Sequence, residues 1–193
     1  VFDNDTSSVF IEGSDDNASA LDAFLGANLA VIEAWVNGGG SLLINAAPNS
    51  GGNRNFGFGG STLNYGLGSD FGPSVTAVNP GHPVFVGPNL PIVTTMTGSF
   101  YSHGWISGTG FTAILEETGN PAETVLVEKA WGAGNVIMGG MTMNSFHSPL
   151  TEAANFRANL LVYMDTMSMV GPACGVGLPL PIDAGAPVTS LAT

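Results

Sequence analysis

Residues 9–47 most constrain the fold, because they contain a complete strand–helix–strand pattern. The apolar runs at 9–11 and 42–44 are typical of two buried strands. Between them, apolar residues recur at spacings of three and four, the stripe of an amphipathic helix. The members of this stripe are Leu21, Phe24, Leu25, Leu29, Ile32, Trp35 and Val36. Because parallel strands need a crossover helix, the pattern predicts a βαβ unit within an α/β core.

The ends of this helix carry their own signals. Ser19, followed by Asp22 three residues later, predicts a capping box, with the carboxylate at the positive helix N-terminus. At the other end, glycines 38–40 predict helix termination, because glycine adopts the left-handed conformation without a steric penalty.

The charge composition excludes several partners. Lys and Arg number 3 against 15 Asp and Glu in 193 residues, a formal net charge of −12. So few cations provide no electrostatic surface for nucleic acid or an anionic membrane. Charged residues make up only 9% of the chain, so we expect a surface of neutral polar groups. Such a surface is common outside cells and favours packing against copies of the same chain.

Cysteine usage, apolar runs and glycosylation patterns add further expectations. Cys174 is the single cysteine, which leaves a free thiol or a bridge between chains, and excludes an internal disulfide. No run of eighteen apolar residues occurs, so we expect no membrane span and no export signal in the chain as given. Asn4 and Asn17 match the N-glycosylation pattern, which an Asn-rich chain also produces by chance.

A Gly- and Asn-rich stretch, residues 46–74, lacks periodicity and predicts a long ordered loop. Four aromatic residues are expected to anchor it: Phe56, Phe58, Tyr65 and Phe71. Arg54 lies near its centre. Two interpretations of Arg54 stay open, a binding role or an arginine satisfied by loop carbonyls.

The second half of the chain predicts more strands and one more helix. Residues 75–78 and 111–115 are expected as strands, whereas prolines confine the region between 80 and 91 to edges and turns. Apolar runs at 124–129 and 135–139 flank a Gly-containing turn and predict an antiparallel hairpin. Ser148 and Pro149 predict a helix start. The expected inner face of that helix is Phe156, Leu160, Leu161, Tyr163 and Met164.

Several of these segments together resemble a known fold. The segments are VNGGGSLLINAAP, NPGHPVF, VLVEKAWGAGNVIMGGM and ANFRANLLVYM. They resemble the class I glutamine amidotransferase-like fold, and in particular its ThuA-like, secreted relatives in bacterial surface proteins. The resemblance implies an α/β fold with a flavodoxin-like parallel sheet flanked by helices and a late antiparallel β-hairpin. It places one domain at 1–167, with the first βα unit of the usual fold missing.

Residues 168–193 form an apolar, Pro/Gly-punctuated tail. We expect this tail to lie extended against the domain or against a neighbouring subunit as an added strand.

The same resemblance argues against amidotransferase chemistry. In catalytic relatives a cysteine follows the strand that corresponds to 42–45, and here Ala46 and Ala47 hold that place. Alanine carries no nucleophile, so the thiol reaction cannot run there. The family's His-x-Glu dyad is also absent, since His147 and Glu152 are five residues apart. The resemblance therefore implies a degenerate site.

Two metal sites are weighed against simpler interpretations. His82, His103 and His147 would form a zinc site if the fold brought them together, but each also suits a hydrogen-bonded turn. Asp3, Asp5, Asp15 and Asp16 supply oxygen ligands for calcium, although the cyclic ligand spacing of a calcium loop is missing and a solvated turn is the simpler interpretation. No other cofactor is expected.

These observations favour a non-enzymatic extracellular structural or adhesive subunit that packs with copies of itself in a filament or surface layer. The tail and the Gly/Asn-rich loop are the expected contacts. The alternative is a carbohydrate-binding module or an unrecognised hydrolase that uses the 53–68 loop and the histidines. Phe100, Tyr101, Trp105 and Trp131 are candidates for stacking on sugars, although anchoring in the core or a loop is the simpler interpretation of each.

Overall fold

A computed structural model describes residues 2–3, 5–14, 18–50, 52–65 and 72–167. The strands are β1 (Ser8–Glu12), β2 (Ser41–Asn45), β3 (Arg54–Gly57), β4 (Ser61–Asn64), β5 (Gly72–Ala77), β6 (Thr95–Ser102), β7 (Trp105–Ser107), β8 (Thr112–Glu117), β9 (Asn120–Trp131), β10 (Gly134–Gly139) and β11 (His147–Ser148). The helices are α1 (Ala18–Asn37), α2 (Pro83–Val86), α3 (Leu150–Met167) and a 3-10 turn at Asn144–Phe146.

The predicted βαβ unit is confirmed. β1 and β2 pair in parallel, with Ser8 opposite Ser41 and Glu12 opposite Asn45. The predicted apolar stripe of α1 provides its buried face, and the chain leaves the helix through Gly39 at φ 117°. The predicted capping box is wrong in one respect: no acidic residue lies in the first turn of α1, and Asp22 pairs with Arg54 instead.

The α/β class is confirmed, and its main sheet is mixed. Eight strands run in the order β1-β2-β10-β9-β8-β5-β6-β11. Among the described strands, only β1, β2 and β10 pair in parallel, so the flavodoxin-like parallel arrangement is limited to these three. The remaining neighbours are antiparallel, including the predicted β9–β10 hairpin, in which Trp131 pairs with Gly134 across the turn.

Part of the predicted 46–74 loop is a second sheet, which corrects that prediction. β4 pairs with β3 on one side and with β7 on the other, which forms a three-stranded antiparallel sheet. Sequence periodicity misses them because each is only four residues long and rich in Gly, Asn and Ser. Phe56 and Phe58 are fully buried and anchor the segment as predicted, whereas Phe71 lies outside the described residues.

The two faces of the central strands bury separate cores. Leu42 and Ile44 of β2 point towards α1 and the three-stranded sheet, and Leu43 points towards α2 and α3. This alternation follows from the two-residue period of a strand. Helices therefore cover both faces, as the predicted α/β architecture requires.

The last helix starts one residue after the predicted Pro149. Phe156, Leu160 and Met164 form its buried face, as expected. Leu161 does not: it is 48% exposed, because a residue next to Leu160 lies about 100° around the helix. Tyr163 lies half-buried at the margin of this face.

Within the described residues, α1 is the one helix whose length and composition would allow it to cross a membrane. In this structure its apolar stripe packs on the sheet.

Candidate functional site

The carboxyl ends of β1, β2 and β10 meet at one edge of the main sheet. The parallel register places Glu12, Asn45 and Gly139 side by side there. Open α/β sheets bind their ligands outside the carboxyl ends of the strands. We name this region, with the residues that follow each strand, the carboxyl edge.

A single carboxamide joins β1, β2 and the segment that follows β10. Asn45 is 1% exposed, and its Nδ2 donates to Glu12 Oε1 and to the carbonyl oxygen of Met141, both at 2.9 Å. Its Oδ1 accepts from the Met141 backbone N–H at 3.0 Å. The amide therefore uses both its donor and its acceptor groups within the protein.

Ala46 and Ala47, which the predicted resemblance places at a nucleophile position, follow Asn45 in the chain and are buried. The Ala46 N–H donates to the carbonyl oxygen of Gly139 at 3.1 Å, and the Ala47 N–H donates to Ser14 Oγ at 3.3 Å. The backbone at this position thus continues the packing of the edge.

Close backbone approach completes the packing. A Cβ atom at Gly140 would lie 2.3 Å from the carbonyl oxygen of Gly104, so only glycine fits there. The chain after β10 is held against the loop before β7, and the His103 N–H donates to the Gly140 carbonyl at 2.8 Å.

Arg157 of α3 reaches the same edge from the helix side. Its Nη2 donates to the carbonyl oxygen of Thr142 at 2.8 Å, and its Nη1 lies 3.5 Å from Glu12 Oε2. Glu12 is therefore held between a neutral amide and a cation, which offsets the loss of solvent around its charge.

His147 contacts Thr142, the residue that also accepts a hydrogen bond from Arg157. Its Nε2 lies 2.9 Å from Thr142 Oγ1, and its ring stacks on Tyr101 with centroids 3.6 Å apart. Burial, together with the nearby Arg157 cation, lowers the pKa of His147 to about 3. The imidazole is therefore neutral across the physiological range.

His103 belongs to an aromatic cluster on the outer side of the edge. Its Nε2 lies 2.7 Å from the carbonyl oxygen of Pro48, so this nitrogen carries the proton. The Tyr65 ring stacks on the imidazole at 5.7 Å, and the Phe100 ring meets it edge-on at 6.2 Å. Phe100 is 55% exposed and has a positive φ of 52°, a strained conformation for a bulky residue.

His82 lies on the α2 side of the main sheet. Its Nδ1 accepts from the Val84 N–H at 3.4 Å, as the cap of α2. The proton therefore resides on Nε2, which lies 3.4 Å from Glu128 Oε1. The Tyr163 hydroxyl donates to Glu128 Oε2 at 2.9 Å. Hydrogen bonding to His82, and then to Tyr163, lowers the pKa of the Glu128 carboxyl.

The three histidines thus contact different partners. Among the described residues, no group of three or more His, Cys, Asp or Glu side chains could hold a metal ion. The hydrogen bond from Val84 to His82 matches the turn-capping interpretation.

The predicted acidic cluster is described only in part. Asp3 accepts hydrogen bonds from the Asp5 N–H and from Thr6 Oγ1, and the Thr6 hydroxyl lowers the pKa of its carboxyl. Two further predicted acids lie outside the described residues, Asp15 and Asp16, as do Asn4, Asn17 and Cys174.

All three cationic side chains of the protein point inwards. Arg54 is 7% exposed and contacts Asp22 and the Ser50 carbonyl oxygen, while a binding role for it stays a prediction. Lys129 Nζ donates to the carbonyl oxygens of Phe58 and Thr109, at 2.6 and 2.8 Å. With Arg157 at the carboxyl edge, each cation connects separate segments of the chain.

Sequence reasoning missed Asn45, Glu12 and Lys129. The available signal for Asn45 is a polar residue that ends an apolar strand. Glu12 ends the paired strand in the same way. For Lys129 the signal is its rarity, because a chain with three cations has few available for solvent.

No protein-family model matches the chain, and no curated protein matches it in sequence. Solved structures similar to it include a cytoplasmic protein from Salmonella typhimurium, with 18% identity, a TM-score of 0.46 and coverage of 83% of this chain and 72% of that one. Another, from Thermoplasma acidophilum, is named "putative gmp synthase subunit a protein", with 10% identity, a TM-score of 0.49 and coverage of 82% and 75%.

A β-galactosidase from Rahnella sp. R3 is also similar, with 13% identity and a TM-score of 0.45. The alignment covers 82% of this chain but only 22% of the β-galactosidase. The similar structures thus include one named as a GMP synthase subunit. The finer expectation of secreted relatives that lack the cysteine stays a prediction.

Proposed function

We propose that the protein is a non-enzymatic extracellular subunit, structural or adhesive, that packs with copies of itself on an amidotransferase-like scaffold. The observation that carries the proposal is the inward orientation of all three cations. The outer surface then presents acids, neutral polar groups and apolar side chains. Charged residues make up only 9% of the chain, so copies can meet through the parts of this surface that lack acids with little desolvation of charge. The net charge of −12 opposes contact elsewhere on the surface.

Exposed apolar side chains support the same proposal. The large ones that are at least 40% exposed are Val78, Val86, Leu90, Phe100, Met143, Phe146, Leu150, Leu161 and Val162. Single exposed apolar residues are ordinary, but contiguous ones mark interaction surfaces. Val86 and Val162 line one groove, and Phe146 and Leu150 flank β11 at the far edge of the main sheet.

β1 is a second candidate contact. It forms one edge of the eight-stranded sheet, and within the described residues its outer side pairs with no strand. Edge strands are usually protected by Lys, Pro or a bulge. β1 has the sequence SVFIE and carries neither Lys nor Pro, so it can accept a strand from another copy.

The carboxyl edge supports the non-enzymatic part of the proposal. Its central amide is fully hydrogen-bonded inside the protein, and the nucleophile position is occupied by buried alanine. A catalytic edge would instead present a reactive side chain to a ligand.

Sedimentation velocity across a wide concentration range, with electron microscopy of the same samples, tests self-packing. We expect assemblies that grow with concentration, and Leu90→Lys should weaken them by placing a charge at a 62% exposed apolar position. Ala122→Lys adds the same charge at another exposed position and serves as the control. A stable monomer at every concentration, with residues 168–193 included, would overturn the proposal.

The aromatic cluster favours one alternative function, carbohydrate binding. Tyr65 and Phe100 both contact His103, and the strained Phe100 backbone is a feature that concentrates at ligand sites. Aromatic side chains of this kind offer apolar faces beside polar groups.

A glycan array probed with the wild type, Phe100→Ala and Phe146→Ala tests this alternative. Phe146 is equally exposed but has no ring contact with His103 among the described interactions, so it provides the control. Carbohydrate binding predicts loss of signal in Phe100→Ala alone. His103→Ala and His147→Ala extend the test to hydrolysis, and the assembly role predicts that no glycan signal or hydrolytic activity exists to be lost.

A further inference from the structure

An apolar groove of about 360 Å³ lies between α2 and α3. Its lining includes Pro83, Val86, Pro88, Val162, Tyr163 and Thr166. No lining residue is charged, and Val86 and Val162 are 61% and 41% exposed. We name it the α2–α3 groove.

Hydrogen bonds of Asn159 and Tyr163 hold the two walls of the groove in place. Asn159 Oδ1 accepts from both the backbone and the side-chain N–H groups of Asn89, and its Nδ2 donates to the carbonyl oxygen of Val84. Tyr163 is held by its hydrogen bond to Glu128. These bonds keep α2 and the following turn at a set distance from α3, so the groove exists before anything binds.

The chain itself supplies a segment of matching chemistry. Thr166 lines one end of the groove, and α3 ends one residue later at Met167. The 26 residues that follow, 168–193, contain four prolines and one charged residue, Asp183. An uncharged apolar groove and a nearly uncharged apolar segment are therefore covalently adjacent.

Residues 178–182 are long enough to cover the groove. From Asn159 to Thr166 the groove follows two turns of α3, about 10 Å. Residues 178–182, Leu-Pro-Leu-Pro-Ile, would span about 15 Å in the polyproline II conformation. The ten residues 168–177 include Gly171-Pro172, a turn signal, and are long enough to reverse the chain.

We propose that residues 168–193 bind the α2–α3 groove of their own chain, with 178–182 extended against Val162 and Tyr163. Attachment favours the own chain over a neighbour, because a short linker gives an effective concentration in the millimolar range. The groove resembles in composition the surfaces that receive proline-rich segments, which pair prolines with an aromatic ring. Docking would also cover part of the apolar surface near α3.

A nitroxide label on Cys174 tests the proposal in the full chain, because Cys174 is the only cysteine. Paramagnetic broadening should reach the amide signals of Val86 and Val162. The broadening should persist unchanged when the labelled protein is diluted with unlabelled protein that lacks isotope enrichment.

Two surface variants provide the matched pair. Val162→Asp places a charge in the groove and should reduce the broadening severalfold. Leu161→Asp places it on the adjacent, equally exposed side chain outside the groove and should leave the broadening unchanged.

Three outcomes would overturn the inference: no broadening at the groove, equal effects of the two variants, or broadening of an isotope-enriched, unlabelled copy by a labelled neighbour. The last would place the segment on a second copy. Because the experiment is run in dilute solution, its result is separate from the sedimentation test of self-packing.

Discussion

The carboxyl edge buries polar side chains, whereas the α2–α3 groove exposes apolar ones. At the carboxyl edge, buried polar side chains bind one another, and Asn45 of β2 connects β1 with the segment after β10. In the groove, apolar side chains remain exposed above a fixed frame. Open α/β sheets usually bind their ligands at the carboxyl ends of the strands, where this protein buries interacting polar side chains. The exposed apolar surface lies instead between α2 and α3. This difference is the basis of the proposal that the surface serves contact with other polypeptide rather than catalysis.

Asn45→Ala should give the largest effect. It removes three hydrogen bonds and leaves the Met141 backbone and Glu12 buried with fewer partners, so we expect the free energy of unfolding to fall by roughly 3 kcal/mol. Urea denaturation measures this change. Asn155→Ala, which removes one exposed bond to Pro91, is the control and should lose under about 1 kcal/mol. Equal losses would show that the carboxyl edge is not the tighter region.

His147 predicts an acid-dependent loss of stability at the carboxyl edge. Its pKa is lowered from 6.5 to about 3 in the folded protein, so the unfolded chain binds more protons between these values, and stability falls as pH decreases below 6.5. At pH 5 the wild type should therefore lose roughly 2 kcal/mol relative to pH 7 through this residue.

His147→Gln should remove that component while it keeps a donor for Thr142. Denaturation at pH 7 and pH 5 checks the difference between the two proteins. Identical pH profiles would mean that His147 is accessible to protons in the folded state, and that the edge is less closed than the structure indicates.

Tyr163→Phe tests the frame beneath the groove. The change removes the hydrogen bond to Glu128 while the ring stays in place, so we expect a loss of about 1 kcal/mol. Thr166→Val, which removes an exposed bond within α3, should cost less and serves as the control. Thermal and urea unfolding measure both, and a larger loss from Thr166→Val would contradict the assignment.

Val162→Asp should have the smallest effect on stability. Its side chain is 41% exposed, so we expect a change within about 0.5 kcal/mol. A loss comparable to that of Asn45→Ala would mean that Val162 is packed like a core residue, which contradicts its 41% exposure.

The fold could be predicted where hydrophobic periodicity is long. The stripe of α1 and the apolar runs of β2 and β10 specify the βαβ core, because burial on one helix face or both strand faces leaves a clear pattern. β3 and β4 could not be predicted this way, since their pairing depends on Phe56 and Phe58 being buried by distant segments. The limit on parallel pairing also follows from strand order, which local sequence does not encode.

Of the candidate site, only Ala46 and Ala47 could be predicted from the sequence, because alanine carries no nucleophile for the thiol reaction. His147 of β11 and Arg157 of α3 both contact Thr142, in the segment after β10. Their proximity arises from the fold and has no spacing in the sequence. The histidines show the same limit, because three similar-looking turns occupy three unrelated environments.

The inward orientation of Arg54, Lys129 and Arg157 affects how readily trypsin cleaves the protein. Trypsin hydrolyses the chain only after arginine and lysine, and the three scissile bonds lie within β3, β9 and α3. Cleavage would therefore require these elements to open first. We therefore expect the folded protein to resist cleavage by proteases of trypsin-like specificity. Reagents that modify accessible lysine side chains should also react slowly with Lys129.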